Sequence, residues 1–253
     1  MVLGVWLVWL LAPAQEARFR VWGRRNADLA RLARFCRFAM PRGATEILEM
    51  ISFIAFSSVI TRLGTTALAA SNLAFNTYLL VLVPVIGFCQ GLGIAVGQAV
   101  GEGRPDLARQ AVRSALMILL PYMAVLMAAF GLIPELLLAP AKGGDAAAWH
   151  EQVALAVPVM WCLIWLIPVD GLQWIWRFAV QGAGDTRWPM IMVLTLAAFF
   201  LALPAWLMYP FLTDARGGLI ACYLLVAAYT TLLAGMMAWR YYRGPWADMT
   251  VRR

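Results

Sequence analysis

The chain predicts an all-α integral membrane protein: a six-helix transmembrane bundle preceded by the end of another helix. Three observations carry that reading. The 253 residues are 63% hydrophobic and only 13% charged, with a mean hydropathy of +0.77, whereas a soluble domain carries about 25% charged residues. Six apolar runs approach the roughly 20 residues needed to span a hydrocarbon core. The arginines, finally, crowd into alternate connections between those runs.

The runs fall at about 44–61, 66–95, 111–132, 153–180, 188–212 and 219–239. An apolar start at 2–12 is about half of a spanning length, and it lacks the preceding basic residues and small-residue cleavage site of a signal peptide. It reads as the tail of a helix whose beginning is absent. The expected organisation is residues 1–13 as the end of a truncated transmembrane helix, 14–40 as a cytoplasmic amphipathic linker, 41–239 as the six-helix lobe, and 240–253 as a cytoplasmic tail. In the linker, Leu29, Leu32 and Phe35 or Cys36 recur at helical spacing among arginines, as suits a helix on an anionic leaflet.

Charge sets the orientation. Seventeen of the 20 basic residues lie in the linker, in or beside the second and fourth connections between the six runs, and in the tail, leaving Arg62, Lys142 and Arg216 for the other side. Short Lys/Arg-rich loops stay in the cytosol, so a multi-pass protein of the plasma (inner) membrane with a cytoplasmic C-terminus is expected. The net charge of +7 then reports topology and implies no nucleic-acid partner. Cys36, Cys89, Cys162 and Cys222 are scattered without metal or disulfide spacing, and His150 stands alone beside Trp149. Trp149, Trp188, Trp239 and Trp246 read as interface anchors.

The run after Thr66 is long enough to exceed the bilayer core, with Pro84 expected to kink it. Gly87 and Gly91, Gly93 and Gly97, and Gly97 and Gly101 are each four apart, the spacing of closely packed helices. Gly103 followed by Pro105 and Asp106 signals a helix start. Pro168 lies two residues before Asp170, where a lost backbone hydrogen bond loosens the helix.

Candidate functional residues follow from burial cost. A carboxylate in a membrane span costs about 2.5–3.5 kcal/mol on insertion scales, so Asp170 and Glu49 each demand a use. Asp170, Gln173, Trp174 and Arg177 share one helical face, and Trp174 beside a carboxylate suits a lipophilic cation. Glu46, Glu49, Phe53 and Phe56 follow one face of the first run, with Glu46 placed to pair with Arg42 one turn back. Asn72 and Asn76 add hydrogen-bonding capacity one turn apart.

At these residues the sequence resembles the C-terminal half of the multidrug and toxic compound extrusion (MATE) family of transporters. The matching stretches are Met40-Pro41 with Glu49 eight residues beyond the proline, 68–76 (LAASNLAFN), 96–103 (VGQAVGEG), and Asp170-Gly171-Leu172-Gln173 followed by Asp185-Thr186-Arg187 and Pro189. The resemblance implies one lobe of a twelve-helix antiporter that exports cationic or amphipathic organic compounds in exchange for H+ or Na+. It places the coupling acids at Glu49 and Asp170, where a sodium ion would also sit. It lets Asn72, Asn76, Gln173, Trp174 and Arg177 line the substrate cavity. No cofactor beyond the coupling ion is implied. The partners implied are the bilayer, small organic cations or amphipathic drugs, and a missing N-terminal lobe from the same gene or a second subunit. Two positions depart from the family pattern. Arg177 replaces a small residue, and its side chain is expected to reach back toward Asp170; Leu166 replaces an aromatic one turn before the acid.

Three rivals stand beside this reading. A lipid-linked saccharide flippase of the same fold would need several basic residues in its cavity, and only Arg177 qualifies. A non-functional half-transporter fragment would need the other lobe to act. An intramembrane aspartyl protease is suggested by Gly182-Ala183-Gly184-Asp185 (GxGD), but its chemistry needs a second carboxylate beside Asp185.

Overall fold

The structure is a computed structural model, and it describes residues 29–142, 146–203, 207, 214–244 and 246. The leading helix end expected at 1–13, and most of the linker and tail, lie outside them. The chain divides into two compact units, residues 1–37 and 38–253, and the membrane lobe is the second.

All the described elements are helical: α1 (Leu29–Ile60), α2 (Thr65–Gly101), α3 (Pro105–Leu132), α4 (Pro134–Leu138), α5 (Ala146–Gly182), α6 (Arg187–Leu196) and α7 (Ala215–Arg243). Five stretches among them are long and apolar enough to cross a membrane, namely Ala39–Leu63, Thr65–Gly101, Pro105–Leu132, Ala148–Gly182 and Ala215–Arg243. They account for five of the six anticipated spans. The sixth, expected at 188–212, begins as α6 and passes into a π-helical turn, Ala197–Ala202; its later residues lie largely outside the described set. Helix α1 runs unbroken through Pro41.

Local chemistry explains the joints. At 37 residues, α2 is about 55 Å long, well beyond a hydrocarbon core of about 30 Å. It ends where Gly103 adopts φ 73°, a left-handed turn that L side chains disfavour, and Pro105 opens α3 at its first position. Gly184, at φ 111°, makes the corresponding turn from α5 into α6. Helical geometry continues through Pro84 in α2 and through Pro158 and Pro168 in α5. Near Pro84, the Tyr122 hydroxyl of α3 donates to the Val81 carbonyl at 2.8 Å, linking α3 to α2.

The axis of the lobe is α5, which packs against α2, α3 and α7. Its closest meeting with α2 is made by glycines. A Cβ on Gly182 would overlap the Gly93 carbonyl, and one on Gly97 would stand 2.9 Å from the Gly182 carbonyl oxygen. Gly87, Gly91 and Gly101 face open space, so Gly93 and Gly97 alone use the four-residue spacing for packing. Outward surfaces are apolar: Leu80, Ile94, Met117, Val125 and Leu132 are all exposed, as lipid solvation favours.

At the arginine-rich end, Asp185 accepts from Arg240 Nε at 2.7 Å and lies 2.6 Å from Arg240 Nη2. It also accepts from the Trp188 backbone N–H at 3.4 Å, tying the start of α6 to the end of α7. Trp246 is buried, stacked on Tyr241 with ring centroids 5.1 Å apart.

Gly182→Val is expected to destabilise the solubilised protein by at least the about 1–3 kcal/mol of an overpacked core. Gly91→Val should stay within the about 0.5 kcal/mol of an ordinary surface change. Thermal melting of the two variants side by side checks the close approach; equal melting temperatures would remove it as a constraint.

Candidate functional site: an acidic cavity behind α1

The part of α1 within the membrane lobe, residues 39–60, lies beside the α2–α3–α5–α7 core. Side chains hold it in place. Phe53 stacks on Phe75 of α2 at 4.6 Å between centroids, and Phe56 meets Tyr223 of α7 edge-on at 5.6 Å. The space left between α1 and the core is a cavity of about 480 Å³.

Glu49 and Asp170 both open into this cavity, from α1 and α5 respectively. Glu46 joins them, and no basic residue is among the lining residues. Much of the remaining wall is aromatic, including Phe53, Phe75, Trp174 and Tyr229. Gln173 also lines it, with its side chain buried and its amide nitrogen without a partner among the described residues. Asn72 and Asn76 do not: both are exposed on α2 and outside the lining. The helical period places them on α2 but does not fix which face meets the core.

Each acid has a different partner. Arg177 lies behind the cavity wall rather than in it, 3% exposed, and donates through Nη1 to Glu49 Oε1. Its Nη2 is 3.7 Å from Glu46. The expected reach of Arg177 toward Asp170 is therefore corrected: the guanidinium turns across to α1, where two carboxylates sit one turn apart. The expected Arg42–Glu46 pair is likewise replaced, since the Arg42 guanidinium lies over the Phe178 ring at 5.2 Å.

Asp170 is half-buried and accepts a 2.5 Å hydrogen bond from the Tyr78 hydroxyl of α2. No described arginine or lysine pairs with it. Tyr78 was not singled out in the sequence, and the one cue was its place two residues after Asn76 on a run with a buried face. It supplies from another helix the aromatic that Leu166 lacks one turn before the acid. Leu166 itself lines the cavity as an apolar wall.

A lobe of long apolar helices beside an acid-lined, aromatic-walled chamber defines a class, that of multi-pass membrane proteins. The MatE family model matches residues 41–207, and the chain belongs to that family. It is 28% identical over 239 residues to the multidrug resistance protein NorM of Burkholderia vietnamiensis, covering 93% of this chain and 50% of that protein. It is 32% identical over 159 residues to a probable NorM of Xanthomonas campestris pv. campestris, covering 62% and 33%. The chain thus spans about half the length of the curated relatives it matches. Two solved structures share the fold. A MOP superfamily transporter from Pyrococcus furiosus superposes with a TM-score of 0.74 at 16% identity, covering 92% of this chain and 50% of that one. An outward-facing multidrug resistance MATE transporter gives 0.68 at 17% identity, covering 87% and 47%.

A double-mutant cycle tests the Arg177–Glu49 pair. Arg177→Gln or Glu49→Gln alone strands a charge and should cost about 3–5 kcal/mol, whereas the double variant should recover most of that loss. Additive losses in thermal unfolding would show that the two side chains act independently.

Proposed function

We propose that this lobe forms one wall of a secondary antiporter that exports cationic or amphipathic organic compounds in exchange for H+ or Na+. The observation that carries the reading is the lining of the cavity: three carboxylates, an aromatic wall and no basic residue. A lipophilic cation gains charge attraction from such a surface and ring-face contact from residues such as Trp174.

The two acids have different tasks in this scheme. Glu49 already holds an internal cation, Arg177, so its charge is largely answered before any cargo arrives. Asp170 is held by a neutral hydroxyl alone, which leaves it as the exchangeable anion. Cargo entering from the arginine-rich, cytoplasmic side pairs with ionised Asp170. On the outer side a proton or sodium ion takes that charge and the organic cation leaves, so coupling needs only competition for one carboxylate. The groups facing this exchange are Glu46 and Glu49 from α1, Tyr78 from α2, Arg177 on the same helix, and Tyr229 from α7. Cargo affinity should therefore fall as pH is lowered, since protons neutralise the anion that binds it.

The lobe supplies one side of a chamber, and an N-terminal lobe, in the same polypeptide or a second subunit, would supply the other. A lipid-linked saccharide is a poorer cargo, because Arg177 is committed to Glu49 and offers nothing to a pyrophosphate. Asp185, the acid of the GxGD stretch, is clasped by Arg240 and serves the joint between α6 and α7.

Efflux of a fluorescent lipophilic cation from cells carrying the assembled transporter tests the scheme. Asp170→Asn should abolish export while the protein remains folded and inserted. Tyr78→Phe should retain export with a shifted pH profile, because the acid stays while its neutral donor goes. Undiminished export by Asp170→Asn would reject competition at this carboxylate.

A further inference from the structure

A second cavity lies at the arginine-rich end, a cleft of about 870 Å³ between the start of α3 and the end of α7. Both helices pack on α5, and the cleft lies between them. We propose that it is a binding site for an anionic phospholipid, which it grips by the headgroup phosphate while an acyl chain runs along α3.

Depth is the first argument. The 19 residues of α3 after Arg113 rise about 29 Å, close to the about 30 Å of a hydrocarbon core. Arg113 therefore sits at the boundary between acyl chains and headgroups, and Arg109, one turn earlier, sits within the headgroup layer. Both are exposed and both line the cleft. Neither forms an ion pair among the described residues. Two guanidiniums one helical turn apart provide paired donors that suit phosphate oxygens.

The wall opposite is aromatic and fixed. Trp246 folds back so that its Nε1–H donates to the Tyr241 carbonyl at 2.5 Å, and its ring lies 13° from the plane of Tyr241. Tyr242, 67% exposed, completes this wall. Aromatic side chains of this amphipathic kind settle at headgroup level.

The polarity gradient selects a lipid over a free anion. Along α3, the lining passes from Asp106, Arg109 and Arg113 to the apolar Leu116 and Met117 in the direction of the membrane core. A soluble phosphate ester would use only the first part of that surface. A phospholipid matches both, with phosphate at the arginines and chain against the leucine and methionine. Asp106 at the mouth disfavours further negative charge there, so a headgroup with one phosphate and neutral hydroxyls fits better than a polyphosphate. Basic pockets between membrane helices on the cytoplasmic side are established places for such headgroups.

The test uses the full chain in nanodiscs of phosphatidylcholine doped with phosphatidylglycerol, with co-purifying lipid measured by mass spectrometry. Phosphatidylglycerol should be enriched over phosphatidylcholine, and loss of each arginine should weaken that enrichment about fivefold. Arg109→Gln/Arg113→Gln should therefore lose it, and Arg109→Lys/Arg113→Lys should keep part of it. Arg216→Gln, at the opposite end of α7, should leave it unchanged. Circular dichroism on every variant confirms the fold. Equal retention by wild type and the double Gln variant would overturn the proposal, as would equal enrichment of the two lipids. Displacement of phosphatidylglycerol by inorganic phosphate at equal concentration would overturn the lipid assignment by showing that the anion alone is recognised.

Discussion

An ion in a membrane span must find a partner or be driven out, and the interior of this lobe is arranged around that demand. Arg177 is the deepest cation among the described residues, and it is answered by Glu49 with Glu46 close by. Such a pair does little for net stability, because desolvating both members offsets their attraction. Its consequence is positional. The pair reaches from α5 across to α1 and so sets how far α1 can stand from the core. The cavity is the space left by that separation.

The separation has meaning only because the rest of the bundle is tight. Where α2 meets α5, Gly93, Gly97 and Gly182 bring the two backbones together with no room for a side chain. Without a hydrophobic drive between helices in lipid, close van der Waals contact of this kind supplies much of the association. The Ser71–Tyr223 hydrogen bond, 2.9 Å and buried, joins α2 to α7 on the side nearer the cavity. A rigid three-helix wall and a single outlying helix make a chamber whose size depends on one helix.

Charge also organises the arginine-rich end, for another purpose. Asp185 and Arg240 clasp the turn into α6, which explains an acid and an arginine that would otherwise invite a chemical role. Arg109 and Arg113 have no such ion pair among the described residues, and both line the cleft at the start of α3. One residue type thus serves different ends: Arg177 balances an internal acid, Arg240 locks a joint, and the α3 pair lines a cleft.

The amino-acid sequence by itself determined the class, the spans and the acids. Five spans were legible because hydrocarbon imposes a length and a composition that local residues must meet alone, and the α3 start was legible from glycine and proline. Glu49 and Asp170 stood out because their cost is local too. Partnership was the part that only the tertiary structure decided. Arg177 turns to Glu49 rather than Asp170, Tyr78 serves Asp170 from a helix 92 residues away, and Asn72 and Asn76 face outward. Each of these depends on the rotation of one helix against another. That rotation is set by glycine contacts and the reach of long side chains between elements, which periodicity along a single segment does not encode.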